Sequence, residues 1–259
     1  MVDNKQSEHV DTPSILRVHH DLNRRKMTVA TVNDITPNMR RIVLSGDDLA
    51  DFVSLAPDDH IKVVVPDRDG VEQRRDYTPR RYDRQARSLV IDFALHEGGP
   101  ATRWAINANP GATLEIIGPR GSAVVSTVVK RWLLIGDETA LPAIGRRIEE
   151  SDRRSEIDVV AAVAGAQEEQ LFETAAALKV RWIHRSTSEA TNPSPLISAL
   201  RHIDIEPQTF IWIAAEASVT RAIRSYLADH RHHPLGWIKA AGYWTKVAQL
   251  DASSCGPIM

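Results

Sequence analysis

The stretch Arg74-Arg75-Asp76-Tyr77-Thr78-Pro79-Arg80 places three useful chemistries within seven residues. A tyrosine can cover an apolar ring face, a threonine hydroxyl can hydrogen-bond a ring nitrogen or carbonyl, and a forked arginine can clamp phosphate. A flavin nucleotide needs all three. In isolation the same residues also describe an ordinary strand aromatic beside a solvated basic loop, so the reading depends on what accompanies them.

A second group, Asp92-Phe93-Ala94-Leu95-His96 followed by Gly98-Gly99-Pro100-Ala101-Thr102, reads as a strand running through glycines into a helix, with Pro100 suited to the first turn. Free backbone N–H groups and the positive dipole end at such a start attract anions, and Thr102 adds a hydroxyl. The glycines allow a pyrophosphate to approach without a Cβ clash.

In the second half, Gly136-Asp137-Glu138-Thr139-Ala140-Leu141-Pro142-Ala143 follows an apolar strand and opens a helix, at the crossover where open parallel sheets bind ligands. Thr139 suits a helix cap and Pro142 a first turn, which leaves Gly136-Asp137-Glu138 without a structural account. The octapeptide is not a Gly-x-Gly-x-x-Gly dinucleotide fingerprint. Trp182-Ile183-His184-Arg185 ends a later strand, and an arginine there has the forked donors that a phosphate takes. Ile213-Ala214-Ala215-Glu216-Ala217 and Ala240-Ala241-Gly242-Tyr243-Trp244 complete the set.

The elements that must position these residues differ between the halves. Short β-branched segments at 27–32, 40–44, 60–65, 89–95 and 113–117, separated by turn residues, predict an antiparallel barrel or sandwich. From residue 131 strands and helices alternate: strands at 132–135, 157–164, 180–184 and 210–214, with helices over 144–150, about 168–178, 195–201 and 218–230. A parallel sheet follows. The expected division is an N-terminal tail (1–24), a flavin-binding β-barrel domain (25–127), an α/β nucleotide-binding domain (128–246) and a C-terminal tail (247–259).

Composition narrows the function classes. With 32 basic and 34 acidic residues, no bulk charge favours nucleic acid or an anionic membrane. Apolar runs fall short of the roughly 20 residues of a membrane-spanning helix, and residues 1–23 lack an export signal, so a soluble cytoplasmic protein without membrane insertion is expected. A single cysteine, Cys255, excludes an internal disulfide and a cysteine-built iron–sulfur site. Redox chemistry requires a bound cofactor.

Arg-x-Tyr-Thr at 75–78 resembles the flavin motif of the ferredoxin-reductase-like superfamily, and Arg-Asp-Tyr-Thr-Pro is similar to its siderophore-interacting branch. Gly118-Pro119-Arg120-Gly121, Gly136 through Ala143, Trp182 with Arg185, and Gly242-Tyr243-Trp244 resemble that branch in the same order, over roughly residues 15 to 246. The resemblance implies FAD held by Arg75, Asp76, Tyr77, Thr78, Asp92, Phe93, His96, Gly99, Ala101 and Thr102. It implies NADPH or NADH at Asp137, Glu138, Thr139, Ala140, Arg185 and Glu216, and an anionic ferric siderophore at His60, Lys62, Arg120, Tyr243 and Trp244. No metal site is expected in the protein. Two departures stand out: Ala215 replaces a glycine, and Thr245-Lys246-Val247 replaces a downstream Arg-x-Gly.

The expected activity is an FAD-dependent ferric-siderophore reductase. The nicotinamide docks near Asp137 to Thr139 and gives hydride to a flavin held near Thr78, and electrons then pass singly to Fe(III). No catalytic residue beyond the flavin is assigned. The alternatives are a flavin or ferredoxin-type reductase of the same fold, with ferredoxin as the alternative donor, or a non-catalytic cytoplasmic siderophore-binding protein.

Overall fold

The computed structural model describes residues 13–96 and 98–246. The chain begins with β1 (Ile15–His19), which runs antiparallel to β9 (Gly121–Val125). Residues 15–19 therefore belong to a sheet rather than to the tail expected over 1–24. The backbone of this strand pairs from Ile15 with Val125 to His19 with Gly121, and the His20 ring bonds Ser122 Oγ at 2.8 Å. The tail expected over 247–259 lies outside the described residues.

In the first half, alternation buries one face of each strand. In β2 (Arg24–Thr36), Arg25, Met27 and Val29 are buried and the residues between them exposed. With β3 (Met39–Ser45), β4 (Ile61–Pro66), β5 (Glu72–Tyr77), β6 (Arg81–Asp83), β7 (Ser88–Ala94) and β8 (Thr113–Ile117), it forms an antiparallel sheet ordered β5-β4-β8-β2-β3-β7-β6. Met27, Ile42, Leu44, Ile61, Val63, Phe93 and Ile116 fill its interior. Helix α1 (Pro100–Asn107) adds Ala101 and Ala105 to the same core. The 74–80 motif, expected between strands, in fact ends an edge strand: Asp76 and Tyr77 pair with Lys62 and Ile61.

The second half alternates β10 (Arg131–Asp137), α2 (Leu141–Glu150), β11 (Glu156–Val163), β12 (Ala177–His184), α3 (Ser194–Leu200), β13 (Thr209–Glu216), α4 (Ala217–Ser225) and β14 (Ile238–Trp244). The strands are parallel in the order β12-β11-β10-β13-β14. Every residue of β13 is buried, as both faces of a central parallel strand must be. Trp132, Leu134 and Ile144 pack on one face; Leu196, Leu200, Val219 and Ile223 cover the other. Helix α4 runs on into a wider π-helical turn over Tyr226–His230.

The helix expected at about 168–178 is absent. Glu168 ends a short 3-10 turn, and its buried carboxylate accepts from Thr36 Oγ1 (2.6 Å), Asn38 Nδ2 (2.7 Å) and Asn38 N (3.1 Å) of the first half. The chain then extends into β12, where Leu178, Val180 and Trp182 face the core at alternate positions. Local helix propensity loses to this tertiary contact and to sheet pairing.

Three further contacts dock the halves. Arg146 on α2 donates to Ser54 Oγ (2.7 Å), Ser54 O (2.8 Å) and Pro79 O (3.1 Å). Arg80 and Arg81 both pair with Glu149 on α2. Lys239 on β14 reaches Asp58 at 2.6 Å.

Candidate functional site

A cavity of about 590 Å³ opens where the two halves meet. From the first half it is lined by His60, Arg75, Asp76, Tyr77, Thr78, Asp92, His96, Gly99, Ala101 and Thr102; from the second by Thr139, Pro142, Tyr243 and Trp244. Residues separated by more than 160 positions thus share one wall system. Most of the expected flavin set is present. Phe93 stands one layer behind, its ring 4.4 Å from Tyr77 and 5.7 Å from Trp104 on α1, so it backs the tyrosine rather than touching the cavity.

Burial pushes the Tyr77 phenol well above its ordinary value, so its ring presents a neutral face. The cations nearby divide into two kinds. Arg74 pairs with Glu72 at 2.7 Å and Lys62 with Asp76 at 2.7 Å. The Arg75 guanidinium donates to the Arg74 carbonyl at 2.9 Å, and no carboxylate pairs with it among the described residues. Arg75 is therefore the charge open to a phosphate.

At the start of α1, Gly99 is the N-cap and offers no side-chain cap, so the first-turn amides keep their donors. Thr102 Oγ1 is buried there without a hydrogen-bond partner. A Cβ on Gly99 would stand 3.0 Å from His96 Cε1 and 3.6 Å from Thr102 Oγ1, closing the cradle. An orphaned hydroxyl, open amides and a glycine wall match the needs of a diphosphate. These residues fit FAD.

Across the cavity, the turn after β10 is organised by Asp137. Its Oδ1 accepts from Thr139 N (3.0 Å) and Thr139 Oγ1 (2.5 Å), and its Oδ2 from Glu216 N (3.1 Å) and Trp244 Nε1 (2.9 Å). All four bonds are internal, so Asp137 shapes the nucleotide turn rather than presenting a free carboxylate to it. Thr139, expected as a helix cap, is spent on this network; Ala140 occupies the N-cap of α2 and is fully buried. Gly136 permits the turn, since a Cβ there would lie 2.6 Å from Ala140 Cβ and 2.8 Å from Ala214 O.

Glu216 caps α4 by accepting from Ser218 N (2.6 Å) and Val219 N (3.2 Å). Burial opposes its charge, yet the bonds from Ser218 and Val219 hold its carboxyl below the ordinary range. Arg185 is also held internally: its Nη2 meets Glu138 Oε2 at 2.8 Å, with the arginine side chain 3% exposed. Burial and neighbouring Asp137 push the Glu138 carboxyl up, against the pull of Arg185. Ala215 does not crowd the crevice. Its side chain packs in the core with Val219 and Ile223, and its N–H donates to Thr220 Oγ1 at 3.1 Å.

The expected substrate residues separate. His60, Tyr243 and Trp244 line the cavity, whereas Lys62 and Arg120 are not among its lining residues. Lys62 pairs across strands with Asp76, which does line the cavity; Arg120 is exposed in the turn before β9. Tyr243 is partly buried against the core of the second half, and desolvation raises its phenol well above the ordinary value. Asp92 also lines the cavity, but Arg41 takes both its oxygens at 2.7 Å.

Sequence reasoning missed Arg41, Arg80, Arg146 and Glu149. Arg80 carries the wall toward α2, lying 3.6 Å from Asp92 and paired with Glu149. The only signal available was the run of arginines closing the 74–80 motif.

A family profile described as siderophore-interacting protein matches residues 129–247, and one described as siderophore-interacting FAD-binding domain matches 28–74 and 68–123. An NADPH-dependent ferric-chelate reductase of Escherichia coli K12 is 32% identical over 250 residues, spanning 88% of this chain and 95% of the relative. The crystal structure of a siderophore utilization protein from T. fusca superposes with a TM-score of 0.83 at 33% identity, over 92% of this chain and 98% of that one. A ferredoxin reductase from carbazole 1,9a-dioxygenase reaches a TM-score of 0.67 at 15% identity, over 87% and 70% of the two chains. That last likeness is one of fold alone and gives no support to ferredoxin as a donor.

Proposed function

This chain belongs to the siderophore-interacting protein family, and from that premise we propose that it reduces ferric siderophores with electrons from NADPH or NADH through bound FAD. The observation that carries the reading is the single cavity in which Arg75, Tyr77, Thr78 and Thr102 meet Thr139 and Trp244. Bound FAD supplies the conversion between a two-electron hydride donor and a one-electron metal acceptor. Residues 25–127 form the flavin-binding part and 128–246 the nicotinamide-binding part.

The protein's own contribution is placement. Tyr77 and Thr78 would hold the flavin ring of FAD, the one by its apolar ring face and the other by its hydroxyl, and Arg75 with the α1 start would hold its phosphates. The Asp137 network fixes the turn through Thr139 on which the nicotinamide end rests, and Trp244 limits water at that edge. The α2 contacts to Pro79 and Arg80 hold the two binding surfaces at a fixed separation.

For the substrate, His60 lies at the cavity, with Lys62 and Arg120 on the neighbouring surface as the charges that draw an anionic chelate. Reduction of Fe(III) to Fe(II) removes one positive charge from the metal, weakens its hold on hard oxygen ligands and favours release. Dependence on a nicotinamide donor supports a cytoplasmic reaction; among the described residues no helix is long and apolar enough to cross a membrane.

Steady-state reduction of a ferric chelate, with Fe(II) captured by a chromogenic chelator, tests this reading. Turnover that requires both FAD and a nicotinamide donor is expected. A protein that takes up no FAD, or that binds ferric chelate without reducing it, would overturn it.

A further inference from the structure

Two residues at the carboxyl edge of the parallel sheet form one buried pair. Glu138 follows β10 and Arg185 follows β12, while β11 lies between those strands. The 2.8 Å contact from Arg185 Nη2 to Glu138 Oε2 therefore spans the carboxyl end of β11. Both ends are anchored: Arg185 N donates to Val163 O at 3.0 Å, and Asp137, next to Glu138, accepts four hydrogen bonds.

The second guanidinium nitrogen, Arg185 Nη1, is buried and has no partner. A buried donor without an acceptor is costly and marks a place where an acceptor belongs. Parallel sheets bind nucleotides across their carboxyl ends from the point where strand order reverses, here between β10 and β13. Glu138 and Arg185 stand beside the cavity rather than in its lining, and a donor whose nicotinamide end rested at Thr139 and Trp244 would extend past Glu138 toward β11 and β12.

Near the carboxyl ends of nucleotide-binding sheets a carboxylate can accept from a ribose 2′-hydroxyl and an arginine can take a 2′-phosphate. Here the two chemistries are bound to each other. We propose that the Glu138–Arg185 pair selects the 2′ substituent of the nicotinamide donor. Glu138 accepts from a 2′-hydroxyl while the pair stays closed, whereas a 2′-phosphate engages Arg185, with Nη1 as the open donor, only by displacing the Glu138 carboxylate. Glu138 is thus a specificity-determining residue that works against the 2′-phosphate. This inference rests on the nicotinamide-nucleotide reading of the site.

The test is calorimetric binding of 2′,5′-ADP and 5′-AMP to the full chain saturated with FAD, so that the flavin site is closed to both probes. Glu138→Gln keeps the side-chain shape and removes the charge. It is expected to raise the preference for 2′,5′-ADP over 5′-AMP by about tenfold, the effect of one charge-assisted contact. The double variant E138Q/R185M leaves no buried charge behind and is expected to lose that gain. If both probes bind but the preference is the same in wild type and E138Q, the selector is overturned and the nucleotide site stands. If neither probe binds the wild type, the nucleotide reading falls and the selector with it.

Discussion

The indole N–H of Trp244 donates to Asp137 Oδ2 at 2.9 Å, joining the last strand to the turn that follows the first strand of the parallel sheet. One residue earlier, Tyr243 lines the same cavity as Thr78 of the flavin segment. Strand β14 thus delivers neighbouring aromatics to both binding surfaces. Trp244→Phe keeps the ring and removes the donor. It is expected to destabilise the protein by about 1 kcal/mol in chemical denaturation and to raise the Kd for NADPH, because Thr139 loses part of its support.

Thr102 separates ligand binding from folding. Its hydroxyl is buried with no partner, so Thr102→Val should leave the stability of the FAD-free protein within about 0.5 kcal/mol of wild type. FAD affinity should fall by about 5- to 30-fold, the loss of one hydrogen bond worth about 1 to 2 kcal/mol, as read by flavin fluorescence titration. Equal FAD affinity would remove Thr102 from the diphosphate cradle.

Lys62 is restrained by Asp76 at 2.7 Å, with both side chains roughly half exposed. Asp76→Asn frees that ammonium. The KM for a triply anionic ferric catecholate should fall by about two- to fivefold, the range of an exposed ion pair. The gain should fade as salt is added, since exposed charges are screened over about 8 Å at physiological ionic strength. A KM unchanged at low salt would place the chelate away from Lys62.

The docking of α2 titrates. Burial opposes the charge on Glu149, but Arg80 and Arg81 hold its carboxyl below the ordinary 4.5. A carboxyl depressed on folding stabilises the protein above the unfolded value and loses that contribution as pH falls through the folded one. The stability difference between wild type and Glu149→Gln should be constant from pH 7 to about 5 and shrink below about 4.5, as followed by urea unfolding. A difference independent of pH would mean that Glu149 acts by shape alone.

Much of this site is legible in the sequence because its chemistry is local. Tyr77 and Thr78 are adjacent, Gly99 and Thr102 share one helix turn, and Gly136 through Thr139 form one loop. What lies beyond local reach is the pairing that docking creates. Asp92 reads as a flavin contact, yet its carboxylate belongs to Arg41, a partner 51 positions away. Arg185 reads as a phosphate ligand, yet Glu138 holds it, from 47 positions away. The segment from Glu168 to about residue 178 reads as a helix because Glu, Gln, Leu and Ala favour one; the strand expected at 180–184 is present but begins at Ala177, and residues 169–176 form no helix. Strand β1 escapes notice because its five residues, Ile15-Leu16-Arg17-Val18-His19, are largely exposed and do not alternate apolar with polar, so only pairing with β9 orders them.

Anaerobic single-turnover spectroscopy tests the central claim most directly. NADPH added to the FAD-loaded protein should bleach the flavin absorption, and a ferric siderophore added next should restore it while Fe(II) appears at two equivalents per flavin. Bleaching that ferric siderophore fails to reverse would contradict the assignment of this cavity to siderophore iron.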